Sequence, residues 1–332
     1  MTGPERPGDP VALSGTGAAA PTIGIDLGGT NLRVAVVDRA GTVLEDERVE
    51  SPDDIEGLLV AMTDVATSLL ARTPSVGAVG VGAAGLVDRE GTVHYAPNLP
   101  MLIEVPLGRL LGERLPIPVA VDNDANVAGW GELAHGAAAG VSNALVVTLG
   151  TGVGGAILLD GRVHRGAHGF AAEIGHWQFD PRGARCACGE TGHWEACASG
   201  TALGRLARER AAAGDAPNVL ARAGGDITAV TGRMVGESAA AGEADGGGLL
   251  LEFADAVALG FAGLANILDP ELIVVSGGLI ALGEVLLAPI RRAFLGHLEG
   301  ADHRPDVPIV AAALGEHAGV VGAAVLARQF AS

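Results

Sequence analysis

Thr22–Asp38 reads TIGIDLGGTNLRVAVVD and Ala144–Asp160 reads ALVVTLGTGVGGAILLD. Each is an apolar run, a glycine-rich turn and a second apolar run, the pattern of two β-strands joined at a bend. In the first, Asp26 ends the leading strand and Gly28-Gly29-Thr30 form the turn. Glycine there lets the backbone approach a phosphate, with N–H groups and the Thr30 hydroxyl pointing inward. An ordinary hairpin turn would give either segment alone the same pattern. In the second, Gly150, Gly152 and Gly155 match the spacing of the dinucleotide fingerprint G-x-G-x-x-G. That fingerprint requires a helix after the turn, whereas Ala156–Leu159 continues as strand into an Asp160-Gly161 turn, with no Walker lysine. The recurrence is more specific than either copy: it predicts two similar α/β halves facing each other with phosphates between them.

The remainder supplies the other parts of such a fold. Asp53 to Arg72 has the apolar period of a helix, with Asp53 or Asp54 placed to cap it. Val76–Gly82 is a buried strand leading through Gly85 into a hairpin with Asp88 and Gly91, and Ala96–Pro100 is a rigid loop that exposes Asn98. Val119–Asp122 is a strand ending at Asn123-Asp124-Ala125-Asn126, where a helix begins. Asp124 therefore stands at a strand-to-helix junction, where catalytic groups of α/β folds collect and where an acid also serves as a plain N-cap. Asn123 and Asn126 beside it are suited to bonding hydroxyls. Farther on, Gly248–Leu268 is a long apolar helix, Leu272–Val275 a strand, Ser276-Gly277-Gly278 a third glycine turn suited to a nucleoside, and Val320–Phe330 a closing helix of small residues.

One stretch has a different chemistry. Glu173–Glu195, EIGHWQFDPRGARCACGETGHWE, sets His176 ten residues before a Cys186-Ala-Cys188-Gly knuckle and His193 five residues after Cys188. Two thiolates and two imidazoles are a donor set for closed, tetrahedral structural zinc, which would staple the loop and fix the flanking Glu173 and Glu195. Cys197 is the alternative fourth ligand; His193 lies nearer the knuckle.

Composition bounds the partners. The 332 residues suffice for two domains. A formal charge of −18 argues against nucleic acid and anionic membrane, so small anions must be held by backbone N–H groups and metal ions. Three cysteines, two of them in the zinc loop, fit a reducing cytoplasm. Residues 1–21, rich in Pro, Gly and Ala, read as a disordered tail with no secretion signal, and the uncharged apolar stretches fall short of a membrane span.

DLGGT at 26–30, DNDAN at 122–126, LGTGVGG at 149–155, EIGH at 173–176, the C-x-C-G-x-x-G loop and DPELIVVSGG at 269–278 together resemble the ROK family (repressor, open reading frame, kinase), most closely its bacterial glucokinase branch. The resemblance covers Ile23 to Arg328. It implies an α/β, two-domain actin-like ATPase fold (ribonuclease H-like/hexokinase) with a cleft between domains. The smaller domain would be 22–124 plus 315–332 and the larger 125–314, with the zinc loop at 176–193. It implies ATP-dependent phosphorylation of a hexose, D-glucose foremost; N-acetylmannosamine, mannose, fructose and allose are the alternative acceptors, and polyphosphate or another nucleotide the alternative donor. By resemblance, Asp124 is the catalytic base, and Asn123, Glu173, His176 and Glu195, with Gly85 and Asn98, contact the sugar. Asp26, Gly28, Gly29 and Thr30 form the first phosphate loop, Thr151, Gly152 and Gly154 the second, and Gly277 and Gly278 the adenosine turn. Mg2+ would sit near Asp26 through water, and Zn2+ on His176, Cys186, Cys188 and His193, where the family usually has a third cysteine in place of His193. The family also includes sugar-responsive repressors, which carry a DNA-binding domain ahead of the first strand; about 20 residues precede Thr22 here. A homodimer or homotetramer is the expected assembly.

Overall fold

The structure is a computed structural model that describes residues 20–330, so positions 1–19 of the expected tail lie outside the described residues. The described residues form two compact units: those up to 142, with 156–172 and 313–330, make the first, and 143–155 with 173–312 the second.

The first unit begins with β1 (Thr22–Leu27), β2 (Asn31–Val37) and β3 (Val43–Glu50). It continues through α1 (Ile55–Arg72), β4 (Val79–Ala83), the short hairpin β5 (Leu86–Val87) and β6 (Val93–Tyr95), α2 (Leu107–Gly112), β7 (Val119–Asn123) and α3 (Asp124–His135). Its sheet runs β3-β2-β1-β4-β7, with β1 antiparallel to β2 and parallel to β4. Both faces of β1 are covered, which explains its nearly uninterrupted apolar run. On one side Ile23 and Ile25 join Leu58, Met62 and Leu69 of α1, whose N-cap Asp54 accepts the Gly57 N–H at 2.8 Å. β3 at the edge alternates half-buried and exposed residues and carries the charged sequence VLEDERVE, which discourages further strand pairing.

The second unit opens with β8 (Ala144–Leu149). β9 (Val153–Leu159) begins in this unit and re-enters the first after Gly155, where it pairs with β10 (Arg162–Val163). After residue 172 come α4 (Glu195–Ala198), α5 (Gly200–Ala212), α6 (Pro217–Arg222), α7 (Gly232–Ala240), α8 (Ala244–Leu268), β11 (Leu272–Ser276), α9 (Glu284–His297) and β12 (Ile309–Ala311). β8, β11 and β12 are parallel neighbours. α8 is the one helix, among the described residues, long and apolar enough to cross a membrane, which counting uncharged stretches had not indicated. Its buried face, which includes Phe253, Val257 and Phe261, instead packs within the unit. A side chain at Gly260 would collide with Trp194, whose indole N–H donates to the Ala256 carbonyl at 3.0 Å.

The chain ends with α10 (Ala318–Phe330) in the first unit. Any Cβ at Gly24 of β1 or Gly80 of β4 would land on an α10 carbonyl oxygen, and one at Gly322 on the Val127 carbonyl of α3. Small residues thus let α10 lie directly on the sheet and on α3. This changes the expected division at 124/125: α3 belongs with the first unit, because its buried side is turned to α10. Buried Glu132 of α3 seals the chain's return, accepting the N–H groups of Ala313 (3.1 Å), Leu314 (3.0 Å) and Ala137 (2.7 Å).

Candidate active site

In the first unit two carboxylates lie at the ends of strands: Asp26 is next to last in β1 and Asp124 comes just after β7. Asp26 pairs with Arg33 across β2 and with Gly82 along β4. The turn after it closes through Gly28 N–H to the Asn31 carbonyl at 3.0 Å, leaving Gly28, Gly29 and Thr30 exposed. Gly319, in the first turn of α10, has no side chain to collide with the Asp26 carboxylate. Burial, then the nearby Asp124 charge, push Asp26 up to about 6 against the opposing pull of Arg33. Arg33 is itself held by Asp46, with Nε to Oδ1 at 3.0 Å, and its Nη1 donates to the Glu316 carbonyl at 2.7 Å.

Asp124 is the first residue of α3, and the cap is its neighbour: Asn123 Oδ1 accepts from Ala125 N (2.9 Å) and Asn126 N (3.1 Å). Asp124 is thereby spared the capping role that its position allowed. Its residue surface is exposed, while the protein crowded around the carboxyl raises it above the usual carboxylate range, against the Ala125 N–H it accepts at 2.9 Å. Asn123 Nδ2 donates to the Gly85 carbonyl at 3.0 Å. Gly85 needs its φ of +120° and its lack of Cβ, which would strike the Tyr95 carbonyl. Asn98 is exposed as expected, and its carbonyl lies 3.5 Å from a Cβ position on Gly29. Asn126 differs from expectation: it is buried, with Nδ2 donating to Asp122 Oδ1 at 3.1 Å, so it is no hydroxyl reader.

In the second unit His176, Cys186, Cys188 and His193 converge, each offering one ligand atom, all within 4.8 Å of one another. Nδ1 of His176 is 3.3 Å from Nδ1 of His193 and 3.8 Å from Cys186 Sγ; Cys188 Sγ is 3.3 Å from His193 Nδ1. These are edge lengths of a tetrahedron whose centre lies about 2.0–2.3 Å from each donor, the bond lengths of zinc. Cys197 stands apart, its thiol donating to the Trp194 carbonyl at 3.3 Å.

The His/Cys loop and the second glycine turn form one piece, which the sequence does not indicate. Glu195 Oε2 accepts the Val153 N–H at 2.9 Å, and its Oε1 accepts from Cys186 Sγ at 3.3 Å. Gly152 leaves the space that Glu195 fills, and Gly175 of EIGH leaves space for the Val153 carbonyl. The Gly150 carbonyl accepts the Gly200 N–H at 2.7 Å, and the Thr151 carbonyl accepts the Thr201 hydroxyl at 2.7 Å. Gly277, at φ +89°, crosses within 2.5 Å (Cβ position) of the Leu149 carbonyl, so the third turn is stacked on the strand that leads into the second; Gly278 faces open space. Glu173 accepts the His176 N–H through its carbonyl at 3.0 Å. Thr151, Gly152 and Gly154 thus share one unit with Gly277, Gly278, Glu173, His176 and Glu195, whereas Asp26, Gly28, Gly29, Thr30, Gly85, Asn98, Asn123 and Asp124 share the other.

Two glycine-turn units of α/β construction define a two-domain, actin-like sugar-kinase fold, and comparison with known proteins agrees. The ROK family profile matches residues 22–330, and the chain belongs to that family. It is similar to a glucokinase of Streptomyces coelicolor, 40% identical over 93% of this chain and 98% of the other. Among solved structures it is similar to a ROK family glucokinase from Streptomyces griseus in complex with glucose and AMPPNP, with a TM-score of 0.81 at 40% identity, covering 93% of this chain and 99% of that one. A ROK hexokinase from Thermus thermophilus gives a TM-score of 0.76 at 33% identity, covering 92% and 97%.

The raised Asp26 carboxyl has a measurable consequence. Its folded value of about 6 exceeds the ordinary 3.8, so ionising it costs the folded state; stability present below about pH 4 is lost as pH rises through 6. Asp26→Asn should therefore melt above the wild type at pH 7.5 in metal-free buffer, the gap closing toward pH 4, while kcat falls. Melting curves that coincide at both pH values would contradict the shift.

Proposed function

We propose that the protein is an ATP-dependent glucokinase that transfers the γ-phosphoryl group to O6 of D-glucose, giving glucose 6-phosphate and ADP. The observation that carries this reading is Asp124: a carboxylate on the first turn of α3, exposed, relieved of capping by Asn123 and raised above the usual carboxylate range by the protein around it. The similar Streptomyces griseus enzyme, solved with glucose and AMPPNP, supports both substrate classes.

Phosphoryl transfer asks chiefly for alignment and for neutralisation of phosphate charge. Asp124 accepts the proton of the 6-hydroxyl as O6 bonds to the γ-phosphorus and the bond to ADP breaks. The Gly28 and Val153 N–H groups are spent on the Asn31 carbonyl and Glu195, so on this reading the N–H groups of Gly29 and Thr30 and of Thr151, Gly152 and Gly154 serve the phosphates, and Gly277-Gly278 receives the adenosine. Asp26, whose raised carboxyl marks it as a group a nearby cation would ionise, fits Mg2+ held through water; the ion would supply charge neutralisation at the phosphate oxygens. His176, Cys186, Cys188 and His193 fit structural Zn2+, which would hold EIGH and Glu195 as a wall for the sugar.

A coupled assay crossing glucose, mannose, fructose, allose and N-acetylmannosamine with ATP, GTP and polyphosphate tests the reading. The highest kcat/KM is expected for glucose with ATP. A clear preference for another sugar would reassign the acceptor, and one for polyphosphate the donor.

A further inference from the structure

β7 ends at a buried ion pair that the reaction described above does not use. Asp122 and Arg165 are both fully buried by side chain, with Nε to Oδ2 at 3.0 Å. The contact is one of charge rather than of an aligned hydrogen bond, since neither atom meets hydrogen-bond geometry. Asp122 Oδ1 accepts the Asn123 N–H at 2.8 Å and Asn126 Nδ2 at 3.1 Å. Arg165 spends Nη2 on the Asp88 carbonyl at 3.1 Å, and Arg89 reciprocates, its Nη2 donating to the Gly166 carbonyl at 2.6 Å. Gly169 lies so close that a Cβ would fall 2.5 Å from the Val87 carbonyl. The loop after β10 is therefore fastened onto the β5 turn, and its arginine reaches through to the end of β7.

Two ties run in parallel between the β4–β5 region and the β7–α3 junction. Asn123 Nδ2 holds the Gly85 carbonyl, and Arg165 joins the Asp88 carbonyl to Asp122, three residues along one segment and one along the other. A pair of buried charges is a costly way to join two loops, because desolvation offsets much of the attraction, whereas apolar residues of similar volume often serve stability as well. What the pair adds over an apolar contact is a defined register. We propose that Arg165 is a positioning residue: by pairing with Asp122 and gripping Asp88 it fixes the Asn123–Asp124 junction against the Gly85 turn, and so aims the proton acceptor at the sugar. This rests on reading Asp124 as the base.

The test compares Arg165→Met, Arg165→Lys and the double variant Asp122→Asn/Arg165→Met in kinetics and thermal melting. Displacement of a reacting group by about 1 Å can cost about 100-fold, so Arg165→Met should lose about that in kcat with KM for ATP little changed. Arg165→Lys, which keeps a charge opposite Asp122, should lie between it and the wild type. The double variant buries no lone charge, so its melting temperature should recover toward wild type while kcat stays down. Recovery of both in the double variant, or wild-type kcat in Arg165→Met, would overturn the proposal. Asp124→Asn, assayed alongside, reads the base assignment separately: wild-type activity there would sink that assignment, not the register effect.

Discussion

Asp124→Ala is expected to lower kcat by about 1,000-fold, the middle of the range that a positioned acid or base contributes. Glucose affinity should change little, because the residues read as its other contacts remain. The variant should fold at least as well as the wild type. Asn123, not Asp124, caps α3 through Ala125 N and Asn126 N, so the helix keeps its start. Desolvation by the protein crowded around the Asp124 carboxyl raises it, which means that its ionised form is a net cost to the folded state, and alanine removes that cost. Undiminished turnover, with glucose 6-phosphate formed at the wild-type rate, would refute the assignment. Loss of activity together with a lowered melting temperature would point to a structural role.

Loss of the zinc staple proposed above is expected to be the second largest effect. Purified protein should carry about one zinc per chain. Cys186→Ser should abolish it, because the Cys186 thiol is the buried ligand of the four. The consequence extends beyond the loop. Glu195, two residues after His193, accepts the Val153 N–H, and Gly175 of EIGH, the residue before His176, lies against the Val153 carbonyl. Releasing the metal should therefore loosen both the sugar wall and the second phosphate turn, so glucose affinity and kcat/KM fall by about 100-fold or more. Cys197→Ala should leave zinc content and activity unchanged, its thiol being bonded to Trp194 O outside the cluster. Metal analysis that finds no zinc in protein never exposed to chelator would overturn the staple; zinc lost in Cys197→Ala but kept in His193→Ala would reassign the fourth ligand.

Local signals carried much of this site. The strand–glycine–strand hairpins announce themselves because period, turn glycines and an acid at a strand end are contiguous, and both hairpins form at the expected positions. The four metal-ligand candidates were legible for the same reason: three fall within eight residues, and His176 is ten residues upstream. What escaped is non-local. Arg165 sits in VHRGAHG, where nothing marks it, until folding brings it onto Asp122, 43 positions away. Glu132 has the look of a surface acid on a helix, and only the return of the chain at Ala313 and Leu314 makes it a buried acceptor of backbone N–H groups. Asn126 was read as a hydroxyl contact because it follows Asp124, whereas helix geometry turns position 126 inward to Asp122. The boundary at 124/125 failed for a related reason. It followed the chemistry of the junction, while the membership of α3 is decided by small residues, Gly131 and Gly322, that let it approach α10.

The most direct test of the central claim is a crystal structure of the protein with glucose and AMPPNP. A carboxylate oxygen of Asp124 should lie about 2.6–3.2 Å from the sugar's 6-hydroxyl. A complex in which that carboxylate points away, with a different side chain on the hydroxyl, would contradict the account.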